Sequence, residues 1–360
     1  VKRKLAAEFF AGIGLVRMAL ELAGWIVNFA NDINPDKFEM YRANFGGQDF
    51  FLGDVASVPV ERVPTVTLAT ASFPCVDLSL AGNRAGLNGD HSSAYWKFHR
   101  LIEKMGDRRP RAILLENVAG LLSSHSGNDL RSIVSSLNKL GYACDLLLLD
   151  AVYFVPQSRP RLFVIALQCA HPSGPFDLPQ HVVRPKQIIE FIRRHSNLTW
   201  SHVALPPLPS KQRNLAELME RLSDSAPEWW DRHRQAHLYS QMSPAHRRLL
   251  RNLMQSERLS FATVYKRVRP AGCRAEVRAD GIAGCLRTPV GGSSKQFVIQ
   301  VSGGQWRVRN MTATEYARLQ GVPDSYKITV PYNQALFGFG DAVCVPAVEW
   351  IIKNAFSPLF

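Results

Sequence analysis

A short apolar strand that runs into a glycine turn and then a helix limits this chain more than anything else in it. Leu5-Ala6-Ala7-Glu8-Phe9-Phe10 reads as the strand and Ala11-Gly12-Ile13-Gly14 as the turn. Leu15, Met18, Ala19, Leu22 and Ala23 then mark one face of a helix that ends near Gly24. That succession opens a parallel α/β sheet, in which ligands lie at the carboxyl ends of the strands. The glycines permit a tight turn and let a ligand approach the backbone at a helix N-terminus. The third glycine of the dinucleotide fingerprint is absent, with Arg17 in its place, so a plain strand–helix turn is the competing reading.

Further strands carry chemically capable residues at their tips. The strand Trp25 to Ala30 leads to Asn31-Asp32, where Asp32 either holds a ribose diol or caps the helix that follows Pro35. Phe50 to Leu52 leads to Gly53-Asp54-Val55, and Asp54 either accepts from an adenine amino group or caps a turn. The apolar run Val63 to Ala69 reads as a strand leading to Phe73-Pro74-Cys75. Pro74 fixes its own φ and biases Phe73 to extended geometry, which sets the direction of the thiol. Cys75 is then either a reactive group or a small buried hydrophobe.

Ala94 to Met105 reads as a helix, and Arg111 to Leu115 as a buried strand that stops at Glu116-Asn117-Val118. A carboxylate at the end of an apolar strand faces desolvation, which suits it to hold or donate a proton, unless an arginine pairs with it. Helix Leu130 to Leu140 and strand Tyr142 to Leu149 follow. Gln157-Ser158-Arg159-Pro160-Arg161 then precedes the strand Leu162 to Leu167, and arginines there are costly unless paired or holding an anion.

At 360 residues the chain is expected to form two domains. Its formal net charge of +13 points to a polyanionic partner. The six cysteines are scattered, with no C-x-x-C pair and no Cys/His cluster, so neither a metal site nor a disulfide framework is expected. No signal segment and no apolar run long enough to span a bilayer is visible, which points to a reducing cytoplasm and no membrane partner. From about Cys169 prolines multiply, and between Gln212 and Glu257 helical patterns dominate around Trp229-Trp230. The tryptophans read as core packing, with base stacking as the alternative. Arg247-Arg248, Arg251 and Tyr265-Lys266-Arg267-Val268-Arg269 form the densest basic patches, set either against phosphates or in a solvated face.

Several stretches stand in one order: Phe9-Phe10-Ala11-Gly12-Ile13-Gly14, Phe73-Pro74-Cys75, Glu116-Asn117-Val118 and Gln157 to Arg161. Arg309 to Glu315, Arg318 to Asp324 and Gly338-Phe339-Gly340-Asp341-Ala342-Val343 continue it. Together they resemble the cytosine-5 DNA methyltransferases of the bacterial modification type, over most of residues 5–167 and 281–352.

The resemblance implies a doubly wound Rossmann-like methyltransferase domain, residues 1–168 plus 333–360, and a smaller target-recognition domain with its hinge, residues 169–332. It implies that Phe10, Gly12, Ile13 and Gly14, Asp32 and Ile33, Asp54 and Val55, Pro74, and Asp341, Ala342 and Val343 bind S-adenosylmethionine. Cys75, Glu116, Arg159 and Arg161 would be catalytic, with Arg161 on the carbonyl at carbon 2. Ser79, Asn117, Arg267, Arg269, Arg287, Gly291 and Gly292 would contact the nucleic acid. Duplex DNA is the implied partner of a monomer, with a cognate restriction endonuclease as a further implied partner. A tRNA methyltransferase, or a DNA-binding relative with impaired turnover, is the alternative. Two positions depart from the family pattern: Val76 replaces a polar residue, and Asp341 stands where asparagine is usual.

Overall fold

The structure, a computed structural model, describes residues 4–74, 93–168, 181–255, 258–269, 272–288 and 295–360. It comprises two compact units: Val1–Asp150 with Pro160–Leu208 and Val345–Phe360, and Ala151–Arg159 with Pro209–Cys344.

The first unit is built on β1 (Leu5–Phe9), α1 (Leu15–Leu22), β2 (Ile26–Asp32), α2 (Pro35–Phe45), β3 (Phe50–Leu52), β4 (Leu68–Ala71), α3 (Ser93–Lys104), β5 (Ala112–Val118), α4 (Asn128–Lys139), β6 (Ala143–Asp150), β7 (Pro160–Leu167) and α5 (Lys186–Arg194). The seven strands form one sheet in the order β3-β2-β1-β4-β5-β7-β6. β1 to β5 run parallel, as the opening strand–turn–helix requires, whereas β7 is antiparallel to both β5 and β6. The expected strand from Val63 to Ala69 forms only at Leu68–Ala71. Pro64, within the earlier part, has no N–H to give a ladder.

Helical spacing in α3 puts Tyr95, Phe98, Leu101 and Ile102 into the core with Phe9 and Phe29. Phe9 meets Phe98 at 5.1 Å and Phe29 at 5.5 Å between ring centroids. Burying each such side chain contributes roughly 1.5–3 kcal/mol. The segment after β7 is pinned by a buried ion pair: Arg184 Nη2 lies 2.5 Å from Asp145 Oδ2 on β6, and the Val203 N–H donates to the same oxygen.

The second unit contains α6 (Leu215–Leu218), α7 (Arg232–Ser240), α8 (Pro244–Met254), β8 (Ser260–Arg269), β9 (Gly272–Arg278), β10 (Gln296–Ser302), β11 (Gln305–Asn310), α9 (Ala313–Leu319) and α10 (Tyr332–Asp341). Its antiparallel sheet, ordered β11-β10-β8-β9, was not apparent behind the helical patterns of Gln212 to Glu257. Trp230 packs in the core with Leu238, Leu250, Val264, Ile299 and Val308, as the packing reading of the tryptophan pair expects. Trp229 instead carries the Arg307 guanidinium 3.9 Å from its ring centroid.

α11 (Val345–Ile351) returns to the first unit and packs on α1. The expectation of no membrane-length apolar run needs one correction. Tyr332–Phe356 is long and apolar enough by composition, but 67% of that apolar window is buried within the protein. The stretch is two helices, α10 and α11, interrupted at residues 342–344.

Candidate active site

The parallel strand tips of the first unit gather the predicted cofactor residues. Phe10 and Gly12 adopt left-handed φ of 57° and 55°, and Gly14 begins α1 at φ 83°. A Cβ on Gly14 would lie 2.5 Å from the Phe45 ring and 2.9 Å from that of Tyr41, so only glycine fits. At Gly12 the nearest neighbour to such an atom is Lys37, 3.9 Å away, which leaves the backbone open to a ligand.

The Gly12 N–H donates to Asp32 Oδ2 at 2.8 Å and the Asn34 N–H to Oδ1 at 2.8 Å. Asp32 thus ties the first turn to the tip of β2. Its neighbour Ile33 is 65% exposed, an apolar side chain left uncovered beside the turn, while Ile13 is buried. Asp54 accepts from the Ala56 N–H at 2.8 Å and from Lys97 Nζ at 2.7 Å, the turn-capping alternative of the sequence reading. Val55 lies in the core.

Two supporting residues escaped the sequence reading. Asn31 donates to the carbonyls of Phe51 and Gly53 at 2.9 and 2.8 Å and so fastens β2 to β3. Glu8, buried in β1, accepts from the Arg17 N–H at 3.2 Å and supplies the helix cap that Gly14 cannot. Burial pushes the Glu8 carboxyl up to about 8, against the opposing pull of the Arg17 N–H and guanidinium. A charged residue inside an otherwise apolar strand was the available signal.

Glu116 and Arg161 meet across the β5–β7 pair, where Val118 opposes Arg161. Arg161 Nε lies 3.0 Å from Glu116 Oε1, and both side chains are largely buried, at 16% and 12% exposure. Antiparallel β7 makes this possible, since it brings the start of β7 to the end of β5. Asn117 donates from Nδ2 to the Phe73 carbonyl at 3.2 Å, fastening the β5 tip to the segment that holds exposed Pro74. Phe73, Leu115, Leu121, Ile133, Leu162 and Val164 pack together beneath Glu116 and Asn117 at this point.

Arg159 does not share the environment of Arg161. It is 2% exposed and donates to the carbonyls of Leu286, Gly340 and Ala342 at 2.7, 3.1 and 2.6 Å, all in the second unit. Those carbonyls take up Arg159 donors, whereas Arg161 takes Glu116 as its partner. Gln157 and Gln320 reinforce the same clamp, through Leu286 N and the carbonyls of Leu319, Phe339 and Ala342. Asp341 is exposed at the end of α10, and Val343 is buried. Arg287 is exposed, and its backbone lies against Gly340. Arg267 is exposed on β8, which runs on to Arg269. Cys75, Ser79, Gly291 and Gly292 lie outside the described residues, and among those described no cluster of His, Cys, Asp and Glu could hold a metal.

The family described as C-5 cytosine-specific DNA methylase matches residues 6–357. The chain is similar to type II methyltransferase M.NgoBI of Neisseria gonorrhoeae, at 26% identity over 95% of this chain and 90% of that one. It is similar also to type II methyltransferase M.HhaI of Haemophilus parahaemolyticus, at 25% identity over 98% and 94%. Its fold resembles the crystal structure of S. pombe Dnmt2 methyltransferase, with a TM-score of 0.65 and 18% identity over 99% of both chains.

Proposed function

Because this chain belongs to the C-5 cytosine-specific DNA methylase family, we propose that it methylates carbon 5 of a cytosine flipped out of a specific duplex DNA sequence, through a covalent Cys75 adduct at carbon 6. The observation that carries this reading is the Glu116–Arg161 pair, with Asn117 bonded to Phe73 two residues before Cys75. The pair puts an acid and a guanidinium side by side at the tip of β5, next to the end of β4, from which the chain runs on to Phe73 and Pro74.

Carbon 5 of cytosine is too electron-poor to attack a methyl donor unaided. Thiolate addition at carbon 6 leaves an enamine whose carbon 5 is nucleophilic. Glu116 gives a proton or strong hydrogen bond at ring nitrogen 3 as charge builds there, and Arg161 steadies both that carboxyl and the ring carbonyl. After carbon 5 is methylated, loss of its proton and β-elimination release Cys75. The target lies inside the base stack, so the base must be extruded at a cost of a few kcal/mol.

S-adenosylmethionine, the donor used by this family, supplies an electrophilic methyl group when bound. The residues present suit it: an open backbone at Gly12, a carboxylate at Asp32 tied to that turn, and uncovered Ile33 beside them. Arg159 takes a positioning role in our reading, holding the segments around Leu286 and Ala342. We place the protein as a monomeric modification enzyme of the cytoplasm, in a restriction–modification pair.

Bisulfite sequencing of DNA from cells that express the chain tests activity and site together. Cys75→Ser should abolish methylation and leave binding of S-adenosylhomocysteine nearly intact. Methylation by that variant at the parent's rate would overturn the covalent mechanism.

A further inference from the structure

The polar face of the β8–β9 hairpin sets a braced arginine opposite an unbraced one. Among the described residues, β10 pairs with β8 as far as Tyr265, opposite Gln296. Beyond that point the described partner of β8 is β9, Lys266 to Arg269 facing Ala275 to Gly272, so among the described residues the hairpin continues as a two-stranded ribbon. A ribbon of this kind fits the major groove of B-form DNA.

Strand alternation puts Tyr265 and Arg267 of β8 on one face with Glu276 and Arg274 of β9, and Arg267 lies directly opposite Arg274. Like charges opposed across a strand pair destabilise a sheet, and Glu276 offsets this on the Arg267 side alone among the described residues. Arg274 is exposed, and its side chain makes no hydrogen bond or ion pair among the described residues. Arg267 is braced instead. Its Nε lies 3.3 Å from Glu276 Oε1, its Nη2 donates to the Tyr265 hydroxyl at 2.9 Å, and that hydroxyl donates to Glu276. The brace occupies Nε and one hydrogen of Nη2, and Nη1 and the other Nη2 hydrogen have no partner among the described residues. On the opposite face Val268 is 71% exposed, more than any other large hydrophobic residue among those described.

Resting on the reading of the chain as a duplex-DNA methylase, we infer that this ribbon enters the major groove of the recognised site, with Arg267 bonding O6 and N7 of a guanine and Arg274 a phosphate. A braced guanidinium reads a base edge because its direction is set before binding. An unbraced one opposite it is free to follow the backbone.

The test is methylation of a duplex library randomised around the target cytosine and read by bisulfite sequencing, for the parent and for Arg267→Ala, Arg267→Lys and Arg274→Ala. Arg267→Ala should lose about 10- to 100-fold in kcat/KM on the preferred sites and admit other bases at one position that the parent holds as guanine. Arg267→Lys should also relax that position, since lysine lacks the planar fork. Arg274→Ala should weaken all sequences alike and reduce the salt slope of binding by about one. Unchanged sequence preference in both Arg267 variants, or a uniform loss across all sequences, would overturn the inference while leaving the proposed function standing. If the parent methylates structured RNA and no duplex DNA, the proposed function falls and this inference with it.

Discussion

Arg161 and Glu116 lie 3.0 Å apart only because β7 runs antiparallel to β5, so that the first residues of one strand reach the last residues of the other. In a wholly parallel sheet the start of a strand lies at the opposite edge from its neighbour's end, and this acid and this guanidinium would not meet. The pairing thus joins a feature of topology to the chemistry proposed for the site. Glu116→Gln and Arg161→Ala should each lower kcat by about 10²- to 10³-fold, the usual consequence of losing one charge-stabilising group. Steady-state kinetics with a shift of only a few degrees in melting temperature would support this. A variant at parental kcat would remove that residue from the mechanism.

Arg159, two residues earlier, should behave differently. Its guanidinium satisfies three main-chain carbonyls, so Arg159→Met leaves buried acceptors unpaired at about 1–3 kcal/mol each. The expected outcome is a markedly lower melting temperature and poor recovery of folded protein, rather than a selective loss of kcat. A stable Arg159→Met protein with only kcat reduced would return this residue to the reacting groups.

Glu8 predicts a pH dependence of stability. The carboxyl ionises near 4.5 when free and at about 8 when buried. Between those values the folded chain keeps a proton that the unfolded chain has lost, so this group's contribution to stability declines as pH rises through the window. Glu8→Gln keeps an acceptor for the Arg17 N–H and removes the titration. Its melting temperature should fall less than the parent's between pH 5 and pH 8, and parallel profiles for the two would refute the assignment.

Asp145 and Arg184 form the opposite case, a buried pair in which ionisation is favoured. Burial alone raises the Asp145 carboxyl, but the bonds from His202, Arg184 and the Val203 N–H outweigh it and hold the group below the ordinary range. Its contribution is present near neutral pH and lost on acidification through that lowered value. Asp145→Asn should cost about 3–5 kcal/mol, because Arg184 stays buried without its counter-charge. Chemical denaturation of this variant, compared with the Asp145→Leu/Arg184→Met double variant, checks the point. The double variant should recover most of the loss.

Local chemistry determined much of this protein. The strand–turn–helix at Leu5 to Leu22, the glycine at position 14 and the acid at the end of β5 follow from apolar periodicity and from φ values that only some residues adopt. Those are properties of neighbours in the chain, and they were legible there. The tertiary structure alone decided which groups meet. Two arginines on either side of Pro160 look equivalent in sequence, yet one faces Glu116 and the other a set of carbonyls from Leu286 to Ala342, because a strand begins between them. The antiparallel sheet of the second unit was hidden for the same reason. Its strands are stabilised by cross-strand partners distant in sequence, such as Phe261 with Gln300, and pairing at that range leaves little trace in local pattern.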